Sequence, residues 1–171
     1  MRILGIDPGI GVTGYGILDE TSSGLALKRS GEIRTAAQHP FSKRLKHLFD
    51  GILEVMDQDL PIAVALEDTF LAKNFKSALK LGQARGMALL AAEFHHLPVF
   101  EYSPTAVKMA VVGYGGATKD QVQQMVSRFL QLPKILTSEH EADEVAVAIC
   151  HAHSARFQEK VRASEKEPLT R

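Results

Sequence analysis

A single cysteine, Cys150, occurs in the 171 residues of this chain. One thiol rules out an intrachain disulfide framework and any cysteine-based zinc cluster, so a reducing, cytoplasmic setting is the expectation. No apolar run approaches the roughly 20 residues that span a bilayer. The first apolar stretch is cut off at Asp7-Pro8-Gly9, so no signal region is expected there. There is no low-complexity tract. Formal net charge is zero, which argues against a general nucleic-acid binder with a basic footprint. Acids are also missing locally. None occurs between Asp68 and Glu93, where Lys73, Lys76, Lys80 and Arg85 stand. None occurs between Glu101 and Asp120, where Lys108 and Lys119 stand. Either window alone reads as a solvated helix face; two on a neutral protein would steer a polyanion to one side.

With 45% hydrophobic residues, the chain is long enough for one domain with a full core. That domain is expected over residues 1–157. Residues 158–171 are charged and poor in apolar side chains, and read as a frayed, disordered tail. Arg2–Asp7 reads as a short strand, apolar from Ile3 to Ile6, that ends in a carboxylate and is stopped by Pro-Gly. A second strand is expected over 11–18 and a third over 25–34, joined by short links into an antiparallel meander. Phe41, Leu45, Leu48, Phe49, Ile52 and Met56 recur on one face of a helix over 41–56. Ile62–Leu66 reads as a buried strand ending at Glu67-Asp68. A long helix is expected over 75–95 with Asn74 as its N-cap, then a strand at 97–100 and helices near 103–111, 118–130 and 139–157. Strands followed by alternating helices and strands predict an α/β fold with a mixed sheet.

Three acidic segments suggest chemistry. Asp7 and Glu67 both end apolar strands, where carboxylates are rare and costly to bury without a partner. If the two strands are parallel neighbours, both acids lie on the sheet edge where ligand sites of open α/β sheets collect. The third segment is Ser138-Glu139-His140-Glu141-Ala142-Asp143-Glu144, ahead of the apolar run Val145–Cys150. Acids in a first helical turn complement the helix dipole, which accounts for Glu139 and Glu141 better than for Asp143. His140 and Asp143 are three apart and project from one side of the helix. Oxygen ligands with at most one imidazole suit Mg²⁺, with Mn²⁺ as a substitute, better than zinc or copper. Two such ions about 4 Å apart can clamp the attacking and leaving oxygens of a phosphoryl displacement.

These segments resemble a known family. Leu4-Gly5-Ile6-Asp7-Pro8-Gly9 with Val12-Thr13-Gly14-Tyr15-Gly16 is similar to the N-terminus of RuvC, the bacterial Holliday-junction resolvases. Glu67-Asp68-Thr69-Phe70-Leu71-Ala72-Lys73-Asn74, continued by Ser77–Gly86, resembles a second signature of that family. Pro98–Tyr102, Lys108, Val111-Val112-Gly113, Lys119 and Ala142-Asp143 complete a likeness over about residues 1–153. It implies an RNase H-like fold: a mixed five-stranded sheet with helices on both faces. It implies a homodimer making Mg²⁺-dependent cuts in opposite strands of a four-way DNA junction, with two ions per site, and a RuvA–RuvB branch-migration complex as partner. By position the catalytic, metal-holding residues are Asp7, Glu67, His140 and Asp143. Family members carry Asp or His at the His140 position, and a neutral His removes one negative charge.

The resemblance also assigns DNA contacts. Phe70 matches a residue that stacks on an unpaired base, and stacking is open to any splayed base; otherwise Phe70 is a core side chain at a strand end. Lys108 and Lys119 match basic residues near the family's active site. Lys73, Lys76, Lys80 and Arg85 are the other DNA-binding candidates. Ala78, Gly82 and Gly86 lie four apart on one helix, and helical glycine costs about 1 kcal/mol against alanine. Close approach of another backbone offsets that cost, either within the monomer or at the dimer interface. Two other readings remain open: an RNase H-like nuclease cutting hybrids or simple duplexes, and an actin-like nucleotide-binding domain suggested by the glycine-rich hairpin after Asp7. The latter needs two such domains, and 171 residues allow one. A non-catalytic DNA-binding module is disfavoured because all four site positions are filled.

Overall fold

The computed structural model describes residues 1–22, 24–68, 75–133, 136 and 139–166, the side chains of 139–141 and 159–166 excepted. Five strands form one sheet. They are β1 (Arg2–Asp7), β2 (Val12–Thr21), β3 (Gly24–Arg34), β4 (Ala63–Glu67) and β5 (Val99–Tyr102), in the order β3-β2-β1-β4-β5. β1, β2 and β3 pair antiparallel, as short links require; β4 and β5 add in parallel after helical crossovers. The helices are α1 (Phe41–Asp59), α2 (Phe75–Phe94), α3 (Pro104–Val112), α4 (Lys119–Phe129) and α5 (Glu139–Lys166).

Alternation along the strands divides the core into two layers. Leu4, Ile6, Ile17, Val64 and Leu66 face α1 and α2, where Leu48, Ile52, Met56, Ala84 and Ala88 meet them. Ile3, Leu18 and Ala65 face the other way, against α3, α4 and α5. The run Val145–Cys150 is buried along its whole length, because α5 has the sheet beneath it and α3 and α4 beside it. Close seating of α5 requires glycine in the sheet. A Cβ on Gly5 would lie 2.0 Å from the carbonyl oxygen of Glu144.

Local signals explain the helix ends. Ser103 accepts from the amide of Ala106 at 3.2 Å, Pro104 occupies the first helical position, and Gly113 ends α3 at φ 80°, the arrangement favoured at each place. Several boundaries differ from the sequence reading by a few residues, β2 running on to Thr21 and α1 to Asp59, and two of the differences have a clear cause. β5 begins at Val99 rather than Leu97, because the Leu97 amide is used to close α2 on the carbonyl of Ala92. α5 continues past residue 157 to Lys166, through a segment rich in Glu, Lys, Arg and Ala, which are good helix formers. Among the described residues no helix is long and apolar enough to cross a membrane.

Candidate active site

β1 and β4 are parallel neighbours, with Ile6 opposite Leu66. The next residues, Asp7 and Glu67, therefore end the two strands at one edge. Strand alternation puts both on the α5 side of the sheet, together with Ile3 and Ala65. The turn after Asp7 is closed by buried Thr13, whose Oγ1 accepts from the Gly9 amide at 3.0 Å and donates to its carbonyl at 2.8 Å. α5 starts over the same edge and contributes Asp143.

Lys119 Nζ donates to Asp143 Oδ2 at 3.2 Å. Lys119 opens α4, where a capping box between Thr118 and Gln121 fixes the helix start. The ion pair is largely solvent-facing, with side chains 59% and 27% exposed, so it gives position more than stability. Glu67 is half-buried and its carboxyl is pushed up to about 7. Burial is the larger cause, and the carboxylates of Asp7 and Asp143 add to it; Lys119 and Lys108 pull the other way. Three carboxylates and two lysines therefore act on one another at this edge.

Two further groups shape it. Arg85 was expected on a DNA-facing strip. Its guanidinium is instead turned inward, donating to the Glu67 carbonyl at 2.8 Å and pairing with Glu101 at 2.6 Å, with its side chain 13% exposed. It ties the end of β4 to β5, as does the Asp68 amide bonded to the Tyr102 carbonyl at 2.7 Å. Glu144 was not anticipated as a site residue. It is fully buried, and its carboxylate lies over Gly14, where a Cβ would fall 1.1 Å from Oε1. Gly14 is the cross-strand partner of Asp7. A carboxylate directly abutting the apolar run Val145–Cys150 was the available signal.

The remaining candidates divide. Lys76 and Lys80 are exposed on α2, and Lys108 is half-buried on α3. Phe70, Lys73, the Asn74 cap and the side chain of His140 lie outside the described residues. Among the described residues no three His, Cys, Asp or Glu side chains are drawn together tightly enough to hold an ion. The donor set nonetheless fits a divalent cation. Asp7, Glu67 and Asp143 offer hard oxygens, and the Glu67 carboxyl, raised first by burial and then by Asp7 and Asp143, is one whose charged form such an ion would favour.

Comparison with known proteins gives a consistent picture. The family model for crossover junction endodeoxyribonuclease RuvC matches residues 3–151. The chain is 48% identical to the RuvC of Geobacter metallireducens over 163 residues, covering 95% of this chain and 99% of that one. It is 52% identical to that of Syntrophotalea carbinolica over 153 residues, covering 90% and 94%. Thermus thermophilus RuvC, solved in complex with a Holliday junction substrate, superposes with a TM-score of 0.87 at 35% identity, covering 92% of this chain and 96% of that one. A yeast mitochondrial Holliday junction resolvase, 12% identical with a TM-score of 0.63, shares the fold.

Proposed function

The chain belongs to the RuvC family of crossover junction endodeoxyribonucleases, and we propose that it resolves four-way DNA junctions by metal-dependent hydrolysis of one phosphodiester in each of two strands. The observation that carries this reading is the gathering of Asp7, Glu67 and Asp143 with Lys108 and Lys119 on one edge of an RNase H-like sheet. Asp7, Glu67 and Asp143, with His140 as the fourth member by sequence position, would hold Mg²⁺, or Mn²⁺ in its place. Two ions per site, when bound, supply a water acidified for attack and charge compensation for the leaving oxygen.

The chain's own residues do the rest. Arg85 fixes the end of β4, so Glu67 has a defined origin. Lys119 is held at Asp143 and can exchange that carboxylate for a substrate phosphate oxygen, and Lys108 lies on the same side. Lys76 and Lys80 extend positive charge along α2, with Lys73 preceding them and Phe70 offering a ring to an unpaired base. Such phosphate contacts give affinity, while the carboxylates act on the chemistry.

A homodimer formed through α2 is part of this reading. A Cβ on Gly82 or Gly86 would meet nothing within 4 Å, so neither glycine is required by packing in the monomer. Phe75, Leu79 and Leu90 are 77%, 53% and 53% exposed, and with Gly82, Gly86 and the neighbouring Ala78 they run along one helix face. A two-fold pair supplies two identical sites to a junction that has its own approximate two-fold symmetry. Cytoplasmic residence and cooperation with a RuvA–RuvB branch-migration complex complete the proposal, the latter resting on family resemblance. The test is cleavage of a synthetic four-way junction against its matched linear duplex, with and without Mg²⁺. Paired nicks in the junction alone, and only with metal, are expected; equal cutting of the linear duplex would overturn the reading.

A further inference from the structure

A second charged feature flanks the acidic edge. Val12 pairs with Arg34 and Asp7 pairs with Gly14, so β3 ends at the same sheet edge, two strand spacings or about 10 Å from β1. The chain then turns into α1. Arg34, Ala36, His39, Lys43 and His47 line a cleft of about 310 Å³. Among the described residues no carboxylate lines it. The whole stretch from Ile33 to Phe49 carries Arg34, Lys43, Arg44 and Lys46 and contains no acid, a third window of the kind that marks the other two basic strips.

This cleft is anchored to the turn that follows Asp7. The Thr35 amide donates to the Gly11 carbonyl at 3.0 Å. Arg44 donates to the Ile10 carbonyl at 2.9 Å and to Thr35 Oγ1 at 3.0 Å. Arg44 is thus the structural cation of the group, and it holds the others in a fixed relation to the site. Arg34 pairs with Glu32 and Lys46 with Asp50. Lys43 is exposed and makes no ion pair with a described residue.

We propose that this cleft receives the phosphodiester backbone of a duplex arm next to the cut. Each DNA strand carries one phosphate per roughly 3.4 Å of helix axis. A strand with its reacting phosphate at Asp7 and Glu67 therefore carries neighbouring phosphates within a few nucleotides of the rim where Arg34 and Lys43 stand. The contact is to backbone and not to base edges, so it adds affinity and orientation without sequence preference.

The inference rests on the chain acting on DNA, and the test separates the two. Binding of a four-way junction and of its matched linear duplex is measured over a KCl series without divalent metal, so that neither is cut. The proteins are wild type, Arg34→Ala/Lys43→Ala, Lys43→Ala alone, and the charge-keeping Arg34→Lys/Lys43→Arg. Each lost phosphate contact lowers the slope of log K against log salt by about 0.9. The double alanine variant should lose about 1–2 of slope on both DNAs and bind them roughly tenfold more weakly at 0.1 M salt. Lys43→Ala should lose about half of that slope, and the charge-keeping variant none. An unchanged slope in the alanine variants, or an equal loss in the charge-keeping one, overturns the proposal. Failure of the wild-type protein to bind the junction would instead strike the functional reading beneath it.

Discussion

Replacing Glu67 with Gln keeps the shape of the side chain and removes its charge, so it separates what the carboxylate does for cutting from what it costs the fold. In the folded protein this carboxyl is raised from 4.5 to about 7, first by burial and then by Asp7 and Asp143. The sign follows. Between those two pH values the folded state holds a proton that the unfolded state has released, so stability falls as pH rises through the window. The contribution is fully present below about pH 4.5 and is lost above about pH 7. One pKa unit corresponds to about 1.4 kcal/mol; discounted for the solvent that still reaches this half-buried group, the cost to the metal-free fold is about 1–2 kcal/mol at pH 8. Gln does not ionise, so Glu67→Gln should be more stable than wild type at pH 8 by that amount. For a chain of this size that is roughly 2–8 °C in Tm. At pH 5 the two proteins should melt nearly together. The assay is thermal denaturation in EDTA at both pH values, repeated with Mg²⁺. Added metal should raise the wild-type Tm more than that of the variant, because binding to the folded state stabilises by mass action. Junction cutting should fall by several orders of magnitude with junction binding retained. A variant no more stable than wild type at pH 8, or altered equally at both pH values, would refute the argument that burial and the neighbouring carboxylates penalise the Glu67 charge.

If His140 is the fourth site residue, His140→Asp should retain measurable cutting and His140→Ala far less, and the wild-type rate should fall as pH drops through about 6.5; full activity in the Ala variant with an unchanged pH profile would reduce His140 to an ordinary helix-start residue. Gly82→Leu should shift the protein toward monomer in sedimentation at micromolar concentration and uncouple the two nicks, and a wild-type protein that sediments as a monomer, free and on the junction, sinks the dimer proposal. Gly14→Ala drives a methyl into the Glu144 carboxylate, an overpacking expected to cost about 1–3 kcal/mol and to reduce cutting by displacing the turn that bears Asp143; an unchanged denaturation midpoint with full activity contradicts that account.

The carboxylate at the end of β1 was legible because a short apolar strand and an Asp-Pro-Gly stop are local facts. That Glu67 lies beside it depended on β1 and β4 being parallel neighbours, which periodicity permits but does not require; register supplies it. The buried face of α5 was legible for the same reason as β1, since Val145–Cys150 admits no solvent-facing side. The inward role of Arg85 is not legible in the sequence because its partners are not local. The Glu67 carbonyl is 18 residues away, and nothing in a helix sequence says which side of it meets a strand end. Glu144 was passed over because acids near a helix start have an ordinary explanation, and its place over Gly14 exists only once β2 lies under α5. The basic stretch of residues 33–49 spans a strand end, a turn and a helix start, so no single periodic element drew it together.

One consequence follows from the position of α5. The helix that carries Asp143 near its start also covers the sheet, touching every strand as well as α3 and α4, and its middle is closed to solvent. Many enzymes keep their reacting groups on loops that open far more readily than the rest of the molecule. Here one of the three carboxylates is built into the segment with the most to lose by opening. Amide exchange along Val145–Cys150 should accordingly proceed only through unfolding of the entire domain, at the free energy of global denaturation. Faster exchange there would show a separately melting helix. A scaffold of this kind gives the cutting edge no way to loosen on its own, so substitutions deep in the α5 core, far from any DNA, would be felt as loss of folded molecules rather than as a slower cut.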